Sequence, residues 1–152
     1  MKQMGWLNLI GLIFVVLLLI PNIVYAIRFR GEENQCKIRS LNVLEQIGRY
    51  CSMFFMVFNI GIAEFGFSSL SAFLLYLFGN SVLLLLYWIT WFVFMGRQDD
   101  FLSRMILAVL PALLFLLSGI TLGYILLIIS ALIFGVGHIG VTLKNTAARK
   151  AG

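Results

Sequence analysis

The sequence predicts an all-α integral membrane protein, a bundle of about five transmembrane helices, and two observations carry that expectation. Long apolar runs are separated by short charged connectors, and the basic residues fall on alternate connectors. Apolar residues make up 62% of the 152 and charged residues only 11%, whereas a soluble domain holds about 45–50% and about 25%. A soluble fold of this length buries only about two-thirds of its unfolded surface, so the excess would coat the outside as an adhesive patch. Lipid is the solvent that fits such a chain.

The apolar runs give one polytopic domain over residues 1–152, with spans at about 4–27, 44–64, 70–95, 102–117 and 121–143. The first run is closed by Arg28 and Arg30 and the third by Gly96-Arg97-Gln98-Asp99-Asp100. From Met105 to Leu143 there are 39 residues without a charge, too many for one span when about 20 residues cross a hydrocarbon core of about 30 Å. Ser118-Gly119-Ile120-Thr121-Leu122-Gly123 gathers the helix-weakening residues of that stretch, so the sequence predicts a turn there. The fourth helix is then the shortest, with Pro111 near its centre as the expected point of a kink. It reads as a tilted span or as half of a re-entrant hairpin, the latter tolerated only where other helices cover the turn.

Charge placement tests this count. Alternation puts the N-terminus, the connector at Phe65 to Ser69 and the turn at Ser118 to Gly123 on one side, where Lys2 is the lone basic residue. The other side receives Arg28, Arg30, Lys37, Arg39, Arg97, Arg104, Lys144, Arg149 and Lys150. Lysine and arginine concentrate in cytoplasmic loops, which predicts the N-terminus outside and the C-terminus in the cytoplasm. A competing reading treats Met1 to Ala26 as a cleaved signal peptide ending in Val24-Tyr25-Ala26; its apolar stretch exceeds the usual ~7–15 residues, and cleavage would strand four basic residues outside.

The net charge of +5 is spread between apolar runs rather than gathered on one surface, so no nucleic-acid partner is expected. The lipid bilayer is the expected partner, together with a second copy of the chain or another membrane protein. Cys36 and Cys51 have no metal-site spacing and are expected reduced, Cys36 being also a juxtamembrane acylation candidate. Cys36 to Tyr50 is amphipathic; it reads either as a helix lying at the inner headgroups or as an extension of the second helix. Tyr87, Trp88 and Trp91 look like an interfacial anchor.

Small and polar residues recur at helical spacing inside the runs: Asn8, Gly11 and Asn22; Glu45, Gly48, Ser52, Asn59 and Ala63; Ser69, Tyr76, Asn80 and Tyr87; Ala131, Gly135 and His138. Such stripes face neighbouring helices, where backbones approach closely and amides find partners that lipid does not supply. Ordinary packing seams explain them without any activity.

Asn22, Glu45, Arg49 and His138 share a depth in the cytoplasmic half and form the candidate polar cluster. Glu45 and Arg49 are four residues apart and can neutralise each other, and an imidazole beside a carboxylate can relay a proton. The plainer alternatives are a self-contained interfacial ion pair and a neutral histidine bonded between helices. No catalytic residue, metal site or cofactor is expected: His138 has no second histidine beside it, and the glycines from Gly135 to Gly140 follow no strand. Two functions remain, a transport or permeation component using the polar cluster, and a non-catalytic accessory or regulatory subunit that binds a partner through its helix faces.

Overall fold

The computed structural model describes residues 5–28, 36–62, 64–96 and 100–151. Met1, Lys2, Met4, Arg30, Ala63, Arg97, Gln98 and Asp99, used above, lie outside them. The described chain forms five helices: α1 (Leu9–Arg28), α2 (Arg39–Val57), α3 (Leu70–Gly96), α4 (Phe101–Leu122) and α5 (Ile125–Ala151). Among the described residues there is no strand, only an isolated antiparallel bridge between Leu7 and Phe58. α1, α3, α4 and α5 are each long and apolar enough to cross a membrane. α2 is not counted with them, because Arg39, Asn42, Glu45, Gln46 and Arg49 fall between its start and its middle turn.

Local chemistry sets the helix ends. Asn8 opens α1, its Oδ1 accepting from Gly11 N at 3.0 Å, and Ser69 does the same for α3 through Ala72 N at 3.1 Å. Asp100 caps α4, accepting from Leu102 N and from Ser103 Oγ. α4 closes on Gly123 at φ +64°, with Tyr124 N bonded to Gly119 O and Gly123 N to Ile120 O. That pair of bonds is a Schellman motif, whose left-handed residue is most often glycine.

Several expectations change here. The fourth helix is not the shortest: α4 has 22 residues and α2 has 19. It runs through Pro111 and through Ser118 to Leu122, because the Ser118 and Thr121 hydroxyls bond back to Leu114 O and Leu117 O and stay inside the helix. α2 stops at Val57, short of Glu64, and the chain leaves in extended form to bond with the N-terminal segment: Asn8 N to Val57 O at 2.8 Å and Asn59 N to Trp6 O at 2.9 Å. α5 continues past Leu143 through the basic tail. The Cys36 to Tyr50 stretch contains no separate helix, since α2 is continuous from Arg39.

The helices alternate in direction. At one end the N-terminal segment, the 58–69 connector and the α4–α5 turn are tied together, Gly66 N donating to Leu122 O at 3.1 Å. Phe65 and Phe67, read as part of an open turn, are buried there, Phe65 edge-on to the buried Tyr124. The opposite end carries Arg28, Arg39, Arg104, Arg149 and Lys150.

α5 packs most extensively on α2, α4 fills the space between α3 and α5, and α1 rests more lightly on α2 and α3. The α2–α5 contact is set by glycines. A Cβ at Gly48 would lie 2.5 Å from Phe134 Cα, and one at Gly137 would lie 2.7 Å from Glu45 Cα. Further along, Gly140 faces Leu41. Gly135, placed on the packing stripe by the sequence, turns toward α4, where a Cβ would meet Ala112 Cβ at 3.4 Å. Gly137, two positions on and about 200° around the wheel, is the residue that admits α2.

Gly137→Leu is therefore expected to destabilise the protein more than Gly135→Leu, by about 1–3 kcal/mol or more from overpacking against backbone. Thermal unfolding in detergent measures both; equal losses would show that the α2–α5 contact is not the tight one.

Candidate functional site

The four residues singled out as a polar cluster come from three helices. Glu45 lies on the face of α2 that Gly48 and Gly137 press against α5, and it is only 5% exposed. His138, next to Gly137, is thereby brought to the carboxylate, with Nδ1 2.9 Å from Glu45 Oε1. With its proton on Nδ1 the imidazole donates that hydrogen bond. Arg49, one turn along α2, pairs with the same oxygen. The histidine ring also stacks on Phe134 at 4.9 Å between centroids. A buried carboxylate thus has two partners from two helices, as an ion in a low-dielectric setting requires.

Asn22 does not join that trio directly. Its Oδ1 accepts from Tyr87 Oη at 2.9 Å and its Nδ2 donates back to Leu18 O at 3.3 Å. It meets Arg49 and His138 across space instead: all three line a cavity of about 460 Å³ at the basic end of the bundle. Glu45 stands behind that wall. The cavity volume lies within the range of about 300–1,000 Å³ typical of small-molecule sites. The exposed Asn22 and Arg149 mark its mouth, and Leu107, Pro111, Phe115 and Phe134 form its apolar interior.

Several lining groups were not part of the expected cluster. Arg104, on the first turn of α4, sits over the Phe94 ring at 5.1 Å. Thr142, Asn145, Thr146 and Arg149 project from the last turns of α5. They continue from His138 at i+4, i+7, i+8 and i+11, a helical stripe visible in the sequence once α5 is carried past Leu143. Arg104 and Arg149 had been read only as topology markers. Tyr87 and Trp91, expected at a membrane interface, are buried in the protein and form the α3 wall of the cavity, with Tyr25 of α1 against Trp91 at 5.0 Å. Trp88 is half-buried and donates to Leu17 O at 3.1 Å. Cys36 is buried, and its carbonyl accepts from Asn42 Nδ2.

Two further polar contacts lie nearer the other end. Asn8 Nδ2 donates to Met56 O and lies 3.1 Å from Tyr76 Oη, joining α1, α2 and α3, and Asn80 Nδ2 donates to Ser118 Oγ at 2.9 Å across α3 and α4. Asn8, Tyr76, Asn80 and Ser118 are fully buried.

Chemically, the cavity supplies hydrogen-bond donors and the guanidinium groups of Arg49, Arg104 and Arg149, and among the described residues its lining holds no aspartate or glutamate. Among the described residues no three His, Cys, Asp or Glu side chains gather as metal ligands.

Glu45→Gln and His138→Ala are expected to be non-additive by about 0.5–2 kcal/mol, because the first takes the charge from the hydrogen bond that the second removes. Asn22→Ala should add to either within about 0.5 kcal/mol. A double-mutant cycle of unfolding in detergent measures this, and strong coupling of Asn22 to Glu45 would merge the two groups into one network.

Comparison with protein-family models, with curated proteins and with solved structures finds no match to this chain.

Proposed function

We propose that the protein is a multi-pass membrane protein acting in transport or permeation, and that the cavity at the basic end is where its substrate binds from the cytoplasm. The observation that carries this reading is that Asn22, Arg49 and His138, from three helices, line one cavity, with Glu45 behind Arg49 and His138. Packing alone does not call for a hollow there; the Asn8 and Asn80 seams show that this bundle closes over polar groups elsewhere.

In this reading all five helices cross. α2 is about 28 Å long at about 1.5 Å per residue, close to the thickness of a hydrocarbon core. Its ionisable groups lie in the first half, where Arg49 and Glu45 satisfy each other and the long side chain reaches the water-facing end. The outer faces of α1 and α3 expose Ile13, Val16, Phe78, Val82, Leu85 and Ile89, as lipid-facing surfaces do. The basic end faces the cytoplasm by the positive-inside tendency. A reporter fused after Gly152 is therefore expected to be active only in its cytoplasmic form, and a cysteine at the exposed Ser68 to react with an impermeant reagent from outside. A C-terminus on the outer side would overturn the orientation.

The transport reading has its own test. Liposomes containing the purified protein should show potential-driven anion flux, or exchange of a fluorescent anionic lipid between leaflets, above protein-free liposomes. His138→Ala or Glu45→Gln should reduce that rate severalfold. Absence of both activities would favour the second reading, an accessory subunit. That alternative is supported by an apolar groove of about 530 Å³ between α4 and α5, lined by Val109, Ala112, Leu113, Leu132 and Val136.

A further inference from the structure

One wall of the cavity carries a group able to change charge near neutral pH, and its contacts say what that change does. From the reading above this takes only that the cavity is the functional site. Imidazole is the side chain whose charge turns over between about pH 5 and 8, and His138 is the one histidine of the chain. Its side chain lines the cavity and is 23% exposed, so water entering the cavity reaches the ring, while that of Glu45 behind it is 6% exposed.

A single carboxylate oxygen serves two donors. Glu45 Oε1 accepts from Arg49 of its own helix and from His138 Nδ1 of α5, the latter at 2.9 Å. While His138 is neutral, carboxylate and guanidinium cancel and the imidazole adds a neutral hydrogen bond. The next proton adds at Nε2, after which two cations share one anion. A net positive charge inside the bundle is costly unless one of the cations moves toward water.

The two cations are not equally free to move. The His138 ring is stacked on Phe134 at 4.9 Å, and its backbone is held by Gly137, where a Cβ would lie 2.7 Å from Glu45 Cα. Arg49 sits at the end of a longer side chain, 34% exposed and already lining the cavity. A guanidinium on such a stem reaches water without any movement of its helix. Besides Glu45 and Arg49 of α2, the charged or titratable groups described around this cavity are Tyr25 of α1, Tyr87 of α3, Arg104 of α4 and Arg149 of α5. Guanidinium groups stay charged and phenols neutral between about pH 5 and 8, so none of these four mimics the titration of an imidazole.

We infer that Glu45, His138 and Arg49 form a proton-binding switch: a proton taken up by His138 from the cavity commits Glu45 to the imidazolium and releases the Arg49 guanidinium into the cavity. Loss of the proton returns Arg49 to Glu45. The cavity then presents Arg49 at low pH and withholds it at high pH, which links whatever the cavity binds to proton uptake.

Nitrogen NMR of the full chain in neutral detergent micelles, labelled at histidine and arginine and free of any histidine tag, tests this. A single histidine gives a single pair of ring signals. The expected result is an Nδ1–H tautomer at high pH and protonation of both ring nitrogens with one midpoint between about pH 5 and 8. The Arg49 side-chain signal, assigned by its loss in Arg49→Lys, should shift with the same midpoint, and in His138→Gln that shift should fall at least fivefold. Glu45→Gln should abolish both the tautomer preference and the link between the two signals, and serves if His138→Gln does not fold. A ring that keeps one charge throughout that range, an Arg49 signal that does not follow the ring, or an Arg49 shift that persists in either folded variant would overturn the switch. In liposomes, the flux or lipid exchange should change severalfold across the same pH range in the parent, and the rate that remains in His138→Gln less than twofold. Linked NMR shifts without flux leave the switch standing and remove transport; flux with one pH profile in parent and variant does the reverse.

Discussion

The structure depends first on how closely α2 approaches α5. Gly48 and Gly137 each face backbone of the other helix, and their antiparallel register puts Glu45 opposite Gly137 and Phe134 opposite Gly48. Without side chains at those two points the helix surfaces touch directly, which is how bundles gain van der Waals contact where no solvent drives association. Everything at the basic end follows from that register. His138 is one residue from the contact, so its ring falls on Glu45, and Arg49, one turn from Glu45, faces the space beside it. A shift of α5 by one residue would turn His138 by about 100° and strand the carboxylate.

The opposite end is closed by a different kind of constraint. There the chain leaves α2 after Val57 and uses its free backbone groups on the N-terminal segment, while Gly66 finds the last carbonyl of α4. Buried aromatic residues, Phe65, Phe67, Tyr76 and Tyr124, fill the gaps between these segments. Asn8 bridges three helices there, although toward that end Ser52 Oγ and Asn80 Oδ1 are buried without a hydrogen-bond partner. The two ends therefore differ: buried aromatics pack among the connectors at one, and arginines line a cavity at the other.

Much of this was legible in the residues. Helix number followed from the length of the apolar runs, and the pairing of Glu45 with Arg49 from helical spacing, whereas shared depth alone did not say that His138 would reach Glu45. The turn at Gly123 was visible as a cluster of helix-weakening residues, although Ser118 and Thr121 remained helical by bonding to their own backbone. The illegible parts have a common cause, the inability of periodicity to rank faces of a helix that is apolar nearly all round. Gly135 and Gly137 look alike in sequence, and only the neighbouring helix decides which one is pressed on. Arg104 and Arg149 were hidden by their second role, because a charge at a helix end satisfies the topology rule and invites no further question. The Thr142, Asn145, Thr146 and Arg149 stripe was cut off by ending the fifth helix where hydropathy ended, whereas the helix itself does not stop at a change of solvent.

The walls of the cavity differ in how firmly they are held, and that difference bears on how it fills. α2, α4 and α5 are joined through broad contacts, with glycines buried at the α2–α5 crossing and Gly119 against Ile128 at the α4–α5 turn. α1, which supplies Leu18, Leu19, Asn22 and Tyr25 to the lining, rests on its neighbours over a much smaller area. Near the cavity its ties to α3 are a few discrete ones: Tyr87 to Asn22, Trp88 to Leu17 O, and the ring contacts of Tyr25 with Trp91 and Phe94. Local opening is least costly where few apolar contacts are lost, so displacement of this half of α1 widens the cavity at smaller cost than any movement of α2 against α5. Its far end stays pinned by Asn8 and the Leu7 bridge to Phe58. Pro21 removes one backbone hydrogen bond from α1 between the pinned end and the basic end. The Glu45–His138 contact lies on the broadly packed pair of helices and Asn22 on the lightly packed one, so a ligand bridging Asn22 to Arg49 or Arg149 would tie the two together.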